Sequence, residues 1–273
     1  MLKENIKLKL TKKNLQGVIG YSAEVGDVET VRSLKELYPD FDETLLVYAA
    51  IKKGDQKFSF DKKNPSYNLE KLILIALRSE NEAAIKYLID DQNINCVLRT
   101  VDLKIDNSGN YKKVEIYLTP LMYAVDQKCI KSVKALLKLG ADINKGNDKG
   151  HNPFTLACEK KDILMMEYLI LRGANTRIRV RDEESPFSYS IENSFSGTEM
   201  VELLIKSGLG KNTRNYKGEC PLFLALRKNN SKIFKFLLEN GFNPRYRNSD
   251  GKSVLDLSTP AMRKLIDDQK KID

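Results

Sequence analysis

The chain has 273 residues, and 46 Lys+Arg against 37 Asp+Glu leave a formal charge of +9, with 41% apolar and 30% charged residues. That balance is too polar for a membrane-embedded protein and too apolar for a disordered one. A single histidine, His151, leaves a His-based metal site or a Ser/His/Asp triad almost nothing to work with.

The N-terminal stretch MLKENIKLKLTKKN carries positive charge but no continuous apolar run, so it does not read as a secretory signal. No segment approaches the roughly 18 apolar residues of a membrane span. Residues 22–38 and 73–90 then show the Ala, Gly and apolar spacing of paired amphipathic helices. Between them 44–54 reads as a first helix whose partner is truncated within 55–67. Residues 97–117 alternate apolar and polar around Asn107-Ser108-Gly109-Asn110, which predicts a β-hairpin. Such an insertion is either a partner-specific protrusion with an edge open to strand addition, or a tolerated surface loop.

From residue 119 onward the text repeats. Pro120, Pro153, Pro186 and Pro221 are spaced 33, 33 and 35 apart, and Gly140, Gly173, Gly208 and Gly241 are spaced 33, 35 and 33. TPLMYAV (119–125), NPFTLAC (152–158), SPFSYSI (185–191), CPLFLAL (220–226) and SVLDLST (253–259) each open a unit. Thr119, Asn152, Ser185 and Ser253 can cap a helix through a side-chain oxygen, and the proline after the first three fits the first helical position. Cys220 breaks that pattern, so its helix is expected to start less firmly. A polar break and a second amphipathic run follow, ending at a glycine able to take the left-handed conformation. Stretches such as ADINKGNDKG and FNPRYRNSDG then favour turns.

One such helix pair cannot bury its apolar stripe alone, but stacked pairs can. The chain resembles the ankyrin-repeat family: T-P-L-x-x-A, the helix-turn-helix and the G-A-D-I-N finger at 140–144 carry the likeness. The histidine that follows T-P-L in that family is absent here, where Met122, Thr155, Ser188 and Phe223 stand instead. The resemblance implies an all-α repeat solenoid of stacked helix-turn-helix units with β-hairpin fingers, one finger being elongated. It divides a single domain, 1–273, into irregular repeats over 1–95, the hairpin at 97–117, regular repeats over 119–252 and a C-terminal cap over 253–273: seven units and a cap.

Cys96, Cys129, Cys158 and Cys220 lie far apart without C-x-x-C pairing and read as reduced thiols of a cytosol-like compartment. Cys158 takes a small buried position of the repeat, and Cys129 lies in a turn open to solvent. His151 precedes a helix cap in a finger, where a surface histidine is expected. No cofactor or metal is expected, because no phosphate loop, dinucleotide fingerprint or ligand cluster occurs.

The basic fingers are the sharper signal. Six residues past the helix-ending glycine stand Arg179, Arg214 and Arg247, and four past it stand Arg177 and Arg245. Arg181, Lys211 and Lys217 add charge, and Tyr216 and Tyr246 interleave. Stacking would align them into an arginine column. The family resemblance further implies that the finger row and the concave, exposed face of the first helices, with Lys160, Arg227 and Lys228 at the helix ends, meet the partner. The expected function is a non-enzymatic protein-interaction module for an acidic protein partner, monomeric and not membrane-inserted. A nucleic-acid binder prompted by +9 is the alternative, although no recognition-helix signature supports it. A second alternative is enzymatic chemistry hidden in 55–67 or 97–117, dependent on Cys96 or Asp102. Bacterial proteins delivered into host cells resemble this one, being Lys/Asn-rich and without a Sec signal, which implies a cytoplasmic or host-cytosolic location.

Overall fold

The computed structural model describes residues 44–53, 68–105, 111–177, 185–192, 198–210, 213–215 and 218–269. The expected repeat at 22–38 and the segment 55–67 lie outside them. The chain falls into two compact units, Met1–Asp142 and Ile143–Asp273.

In the first unit α1 (Thr44–Lys53) packs on α2 (Leu69–Arg78), which pairs with α3 (Glu82–Leu88). The antiparallel strands β1 (Leu98–Ile105) and β2 (Tyr111–Leu118) follow, and α4 (Pro120–Asp126) and α5 (Ile130–Lys138) form the next pair. First helix meets first helix and second meets second, α2 on α4 and α3 on α5. The second unit repeats this with α6 (Pro153–Glu159) and α7 (Ile163–Leu171), then α8 (Pro186–Glu192) and α9 (Glu199–Lys206). The pair α10 (Pro221–Arg227) and α11 (Ser231–Glu239) comes next, and α12 (Val254–Leu257) and α13 (Pro260–Gln269) close the row.

The elements start and stop where their chemistry demands. Thr119 and Asn152 accept from the backbone N–H three residues on, at 3.2 and 2.8 Å, and Ser185 does so from Ser188 at 3.0 Å. Thr155 returns a bond to the Asn152 N–H, and Asp256 returns one to Ser253, so both helices carry reciprocal caps. The Cys220 side chain makes no cap bond, yet α10 still begins at Pro221. Gly140, Gly173, Gly208 and Gly241 hold φ between 76° and 93° and end the second helices. The N–H of the next residue reaches back to the carbonyl four residues before the glycine, as from Ala174 to Leu169 at 2.9 Å.

Ala76, Ala124, Ala157 and Ala225 are fully buried, as is Ser190 in the equivalent place of α8. These small residues let neighbouring first helices approach closely. Phe154, Phe187 and Phe234 fill the largest fully buried positions.

Neighbouring repeats are tied by polar groups other than the missing histidine. The Ser132 hydroxyl donates to the Leu77 carbonyl at 2.5 Å, the Lys131 N–H to Glu80 Oε1 at 2.9 Å, and the Asn81 amide to the Ile51 carbonyl at 3.1 Å. In the fingers, Asn95 accepts from the Asp142 N–H at 2.9 Å, and Asn144 from the Asn175 N–H at 2.7 Å. The Leu77 and Ile51 carbonyls are thereby satisfied inside the stack, while the other three bonds lie at its exposed edge.

Two expectations are corrected. His151 is not a surface histidine: its side chain is 11% exposed, with Nε2 3.5 Å from Glu159 Oε1 at the end of α6. Cys129 is buried rather than open to solvent, because it sits at the start of α5 with its thiol toward the Arg78 carbonyl.

Candidate finger row

The fingers share one turn. In Asn147–His151, Asn215–Glu219 and Asn248–Lys252, the glycine N–H donates to the asparagine carbonyl, and the asparagine N–H donates to the carbonyl of the last residue. The asparagine Oδ1 accepts the N–H of that last residue in all three. Gly150, Gly218 and Gly251 have φ of 76°, 69° and 73°, a region L side chains rarely enter. Hence the asparagine and the glycine close the turn in each of the three fingers through the same set of bonds.

Four residues past the helix-ending glycine, Arg177 and Arg245 are exposed. Their N–H groups are held by Asn175 and Asn243 Oδ1, each at 2.9 Å. The same position in the preceding finger is Asn144, which is engaged with Asn175. Arginine at that place therefore exchanges a finger-to-finger bond for an outward guanidinium.

The other predicted residues are placed differently. Arg214 is half-buried, with its guanidinium 4.2 Å from the centre of the Tyr246 ring and a bond from Nη1 to the Thr213 carbonyl at 2.8 Å. This cation–π contact joins adjacent fingers. Arg247 is exposed but donates to the Gly251 carbonyl at 2.6 Å and lies 3.5 Å from Asp256. Arg227 pairs with Glu192 at the end of α8 and with Glu219 at 3.2 Å, clipping two repeats together. Lys160 and Lys228 are the exposed C-cap residues of α6 and α10. Arg179, Arg181, Lys211, Tyr216 and Lys217 lie outside the described residues. Arg214 and Tyr246 are thus the pair brought into contact. Glu192, Glu219 and Asp256 are the carboxylates that occupy Arg227 and Arg247, and of these sequence reasoning missed Glu192 and Asp256.

The Asp256 carboxyl is held below the usual carboxylate range, first by the Ser253 N–H, then by the Ser253 hydroxyl, and lastly by Arg247 and Arg263. Its ionised form is the one the fold favours. It therefore adds stability above the unfolded-state value, and that stability is lost as pH falls through the lowered folded value. Carboxyl NMR titration should give a midpoint under the ordinary one, rising only slightly in Arg247→Ala. An ordinary midpoint would refute the reciprocal cap.

Burial raises the thiols of Cys96, Cys129, Cys158 and Cys220, most strongly Cys158. All four are free. Among the described residues no group of three or more His, Cys, Asp or Glu gathers as a metal site, and no helix is long and apolar enough to cross a membrane.

The family model for ankyrin repeats, three copies, matches residues 19–147, 101–180, 121–214 and 154–248. The chain belongs to the ankyrin-repeat family. An ankyrin repeat protein of Acanthamoeba polyphaga mimivirus is 27% identical over 137 residues, covering 50% of this chain and 18% of that one. One from Rickettsia felis is 26% identical over 161 residues, covering 59% and 56%. The mouse B-cell lymphoma 3 protein homolog is 29% identical over 157 residues, covering 55% and 34%. The chain thus spans between about a fifth and a little over half of these relatives' lengths. Ankyrin repeats generally mediate protein–protein interaction and are typically not enzymes.

Proposed function

We propose that this ankyrin-repeat chain is a non-enzymatic interaction module that binds an acidic segment of a partner protein through its finger row and the exposed ends of its first helices. The observation that carries the reading is the contrast among arginines. Arg214, Arg227 and Arg247 have protein partners, whereas Arg177 and Arg245 are exposed at equivalent finger positions and enter no ion pair with a described residue. A guanidinium is a planar fork suited to carboxylate, and its main chain is already fixed here, so little ordering entropy opposes binding. Lys160 and Lys228 add charge at equivalent first-helix ends.

The probe is a fluorescein-labelled peptide of ten glutamates at low salt. Arg177→Glu/Arg245→Glu is expected to weaken its capture by roughly tenfold or more, since interfacial charge reversal costs upwards of about 1 kcal/mol. Fluorescence anisotropy reads the change, with circular dichroism confirming the fold. Unchanged affinity in the double variant would reject the finger row. Tighter binding of a single-stranded DNA 20-mer than of the peptide, with a steep salt slope, would move the function to nucleic acid.

A further inference from the structure

The elongated hairpin plays no part in the finger-row reading. β1 and β2 pair one to one through eight positions, from Leu98↔Leu118 to Ile105↔Tyr111. There is no bulge in the register and no proline in either strand. Among the described residues no third strand pairs with either. Each strand therefore has an outer edge whose main-chain N–H and C=O groups pair with no described strand. Natural edges are commonly blunted by short length, proline, a bulge or charged side chains, lysine above all; this ribbon uses only the last, which repels a basic strand but not an acidic one.

A two-stranded ribbon is marginal by itself, and a third strand is what ordinarily makes a sheet stable. Here the root supplies the order. Leu98 and Leu118 face each other and are 1% and 2% exposed, and Leu118 runs directly into the Thr119 cap of α4. Near the root Arg99 of β1 lies 3.4 Å from Glu115 of β2, a cross-strand tie, and within β2 the Tyr117 hydroxyl donates to the same carboxylate at 2.9 Å. Val97 and Tyr117 stay 42% and 43% exposed, apolar area that alternate side chains of an added strand could cover.

Charge selects the occupant. The two strands carry Arg99, Lys104, Lys112 and Lys113 against Asp102 and Glu115. A second copy laid along the ribbon would set net positive against net positive, and like charges across strands are unfavourable. An acidic strand reverses that sign. We propose that the ribbon takes up an extended, acidic peptide segment of another protein as a third β-strand. The main chain would supply the hydrogen bonds and the lysines the selectivity. This surface is separate from the Arg177 and Arg245 fingers and can succeed or fail independently of them.

The test uses the full chain and two blocked ten-residue peptides, one alternating valine with glutamate and one alternating valine with lysine. Amide hydrogen exchange is followed across 98–118. The glutamate peptide is expected to slow exchange in one strand by roughly tenfold, as new edge bonds suppress local opening, and the lysine peptide should leave it unchanged. Lys112→Glu/Lys113→Glu should reverse the preference, while Arg177→Glu/Arg245→Glu should not alter it. No protection within 98–118 would overturn the proposal, as would equal protection by both peptides. Protection that depends on Arg177 and Arg245 but not on the lysines would also overturn it, and so would self-association of the free chain that disappears when the ribbon is shortened.

Discussion

Gly210→Ala is expected to lower unfolding stability by roughly 3 kcal/mol, from overpacking and backbone strain together. Gly210 has φ of 122°, and a β-carbon there would lie 2.9 Å from Phe187 Cε2 and Cζ and from Phe242 Cζ. Those two rings stack with centroids 5.9 Å apart and planes at 16°. Both rings are buried, so a β-carbon there would force one of them or the backbone to move. Urea denaturation should show the midpoint fall. Phe187→Ala in the same molecule should relieve part of the clash, so the two losses should sum to more than the double variant shows, by about 1 kcal/mol. A Gly210→Ala protein as stable as wild type would mean that the finger does not pack as described.

The second large effect concerns the core of the last full repeat. Phe234 in α11 is fully buried, whereas Phe236 two residues on is only half-buried. Phe234→Ala deletes a ring and leaves a cavity, for which about 3–5 kcal/mol is the usual cost. Phe236→Ala removes the same atoms from a site that water already reaches, and should cost clearly less. Because each repeat leans mainly on its neighbours, amide exchange should accelerate most in α11 and in α10 and α13, the helices packed on it. Equal losses in the two variants would show that the buried face of α11 has been assigned wrongly.

Much of this fold was legible in the chain because its signals are demands that few residue types can meet. A proline at the first helical turn, an oxygen-bearing cap before it and a glycine after the second helix each satisfy a local backbone need. Their recurrence at thirty-three to thirty-five residues marked the repeats from 119 onward. The hairpin was equally local: an alternating pattern around Asn-Ser-Gly-Asn, found at Leu98–Ile105 and Tyr111–Leu118. What stayed hidden depends on distant partners. Nothing around His151 announces Glu159, and nothing around Arg227 announces Glu192, thirty-five residues away. The arginine column was anticipated from equal positions in successive fingers. Arg214 instead covers Tyr246, which is one position out of step in the numbering. The amide ladder from Asn95 and Asn144 was likewise invisible, since asparagine in a finger also reads as an ordinary turn residue.

Glu80, Lys128, Lys161 and Asn229 have φ between 51° and 58°, each in the sharp turn between the two helices of its pair. A left-handed backbone there penalises a β-carbon in much the same way whatever is attached beyond it, apart from the milder cost for asparagine. Lys128, Lys161 and Asn229 are also exposed. At Lys128 and Asn229 the chain can consequently trade acid, base or amide at nearly constant backbone strain, whereas at Glu80 the carboxylate is held by its bond from the Lys131 N–H.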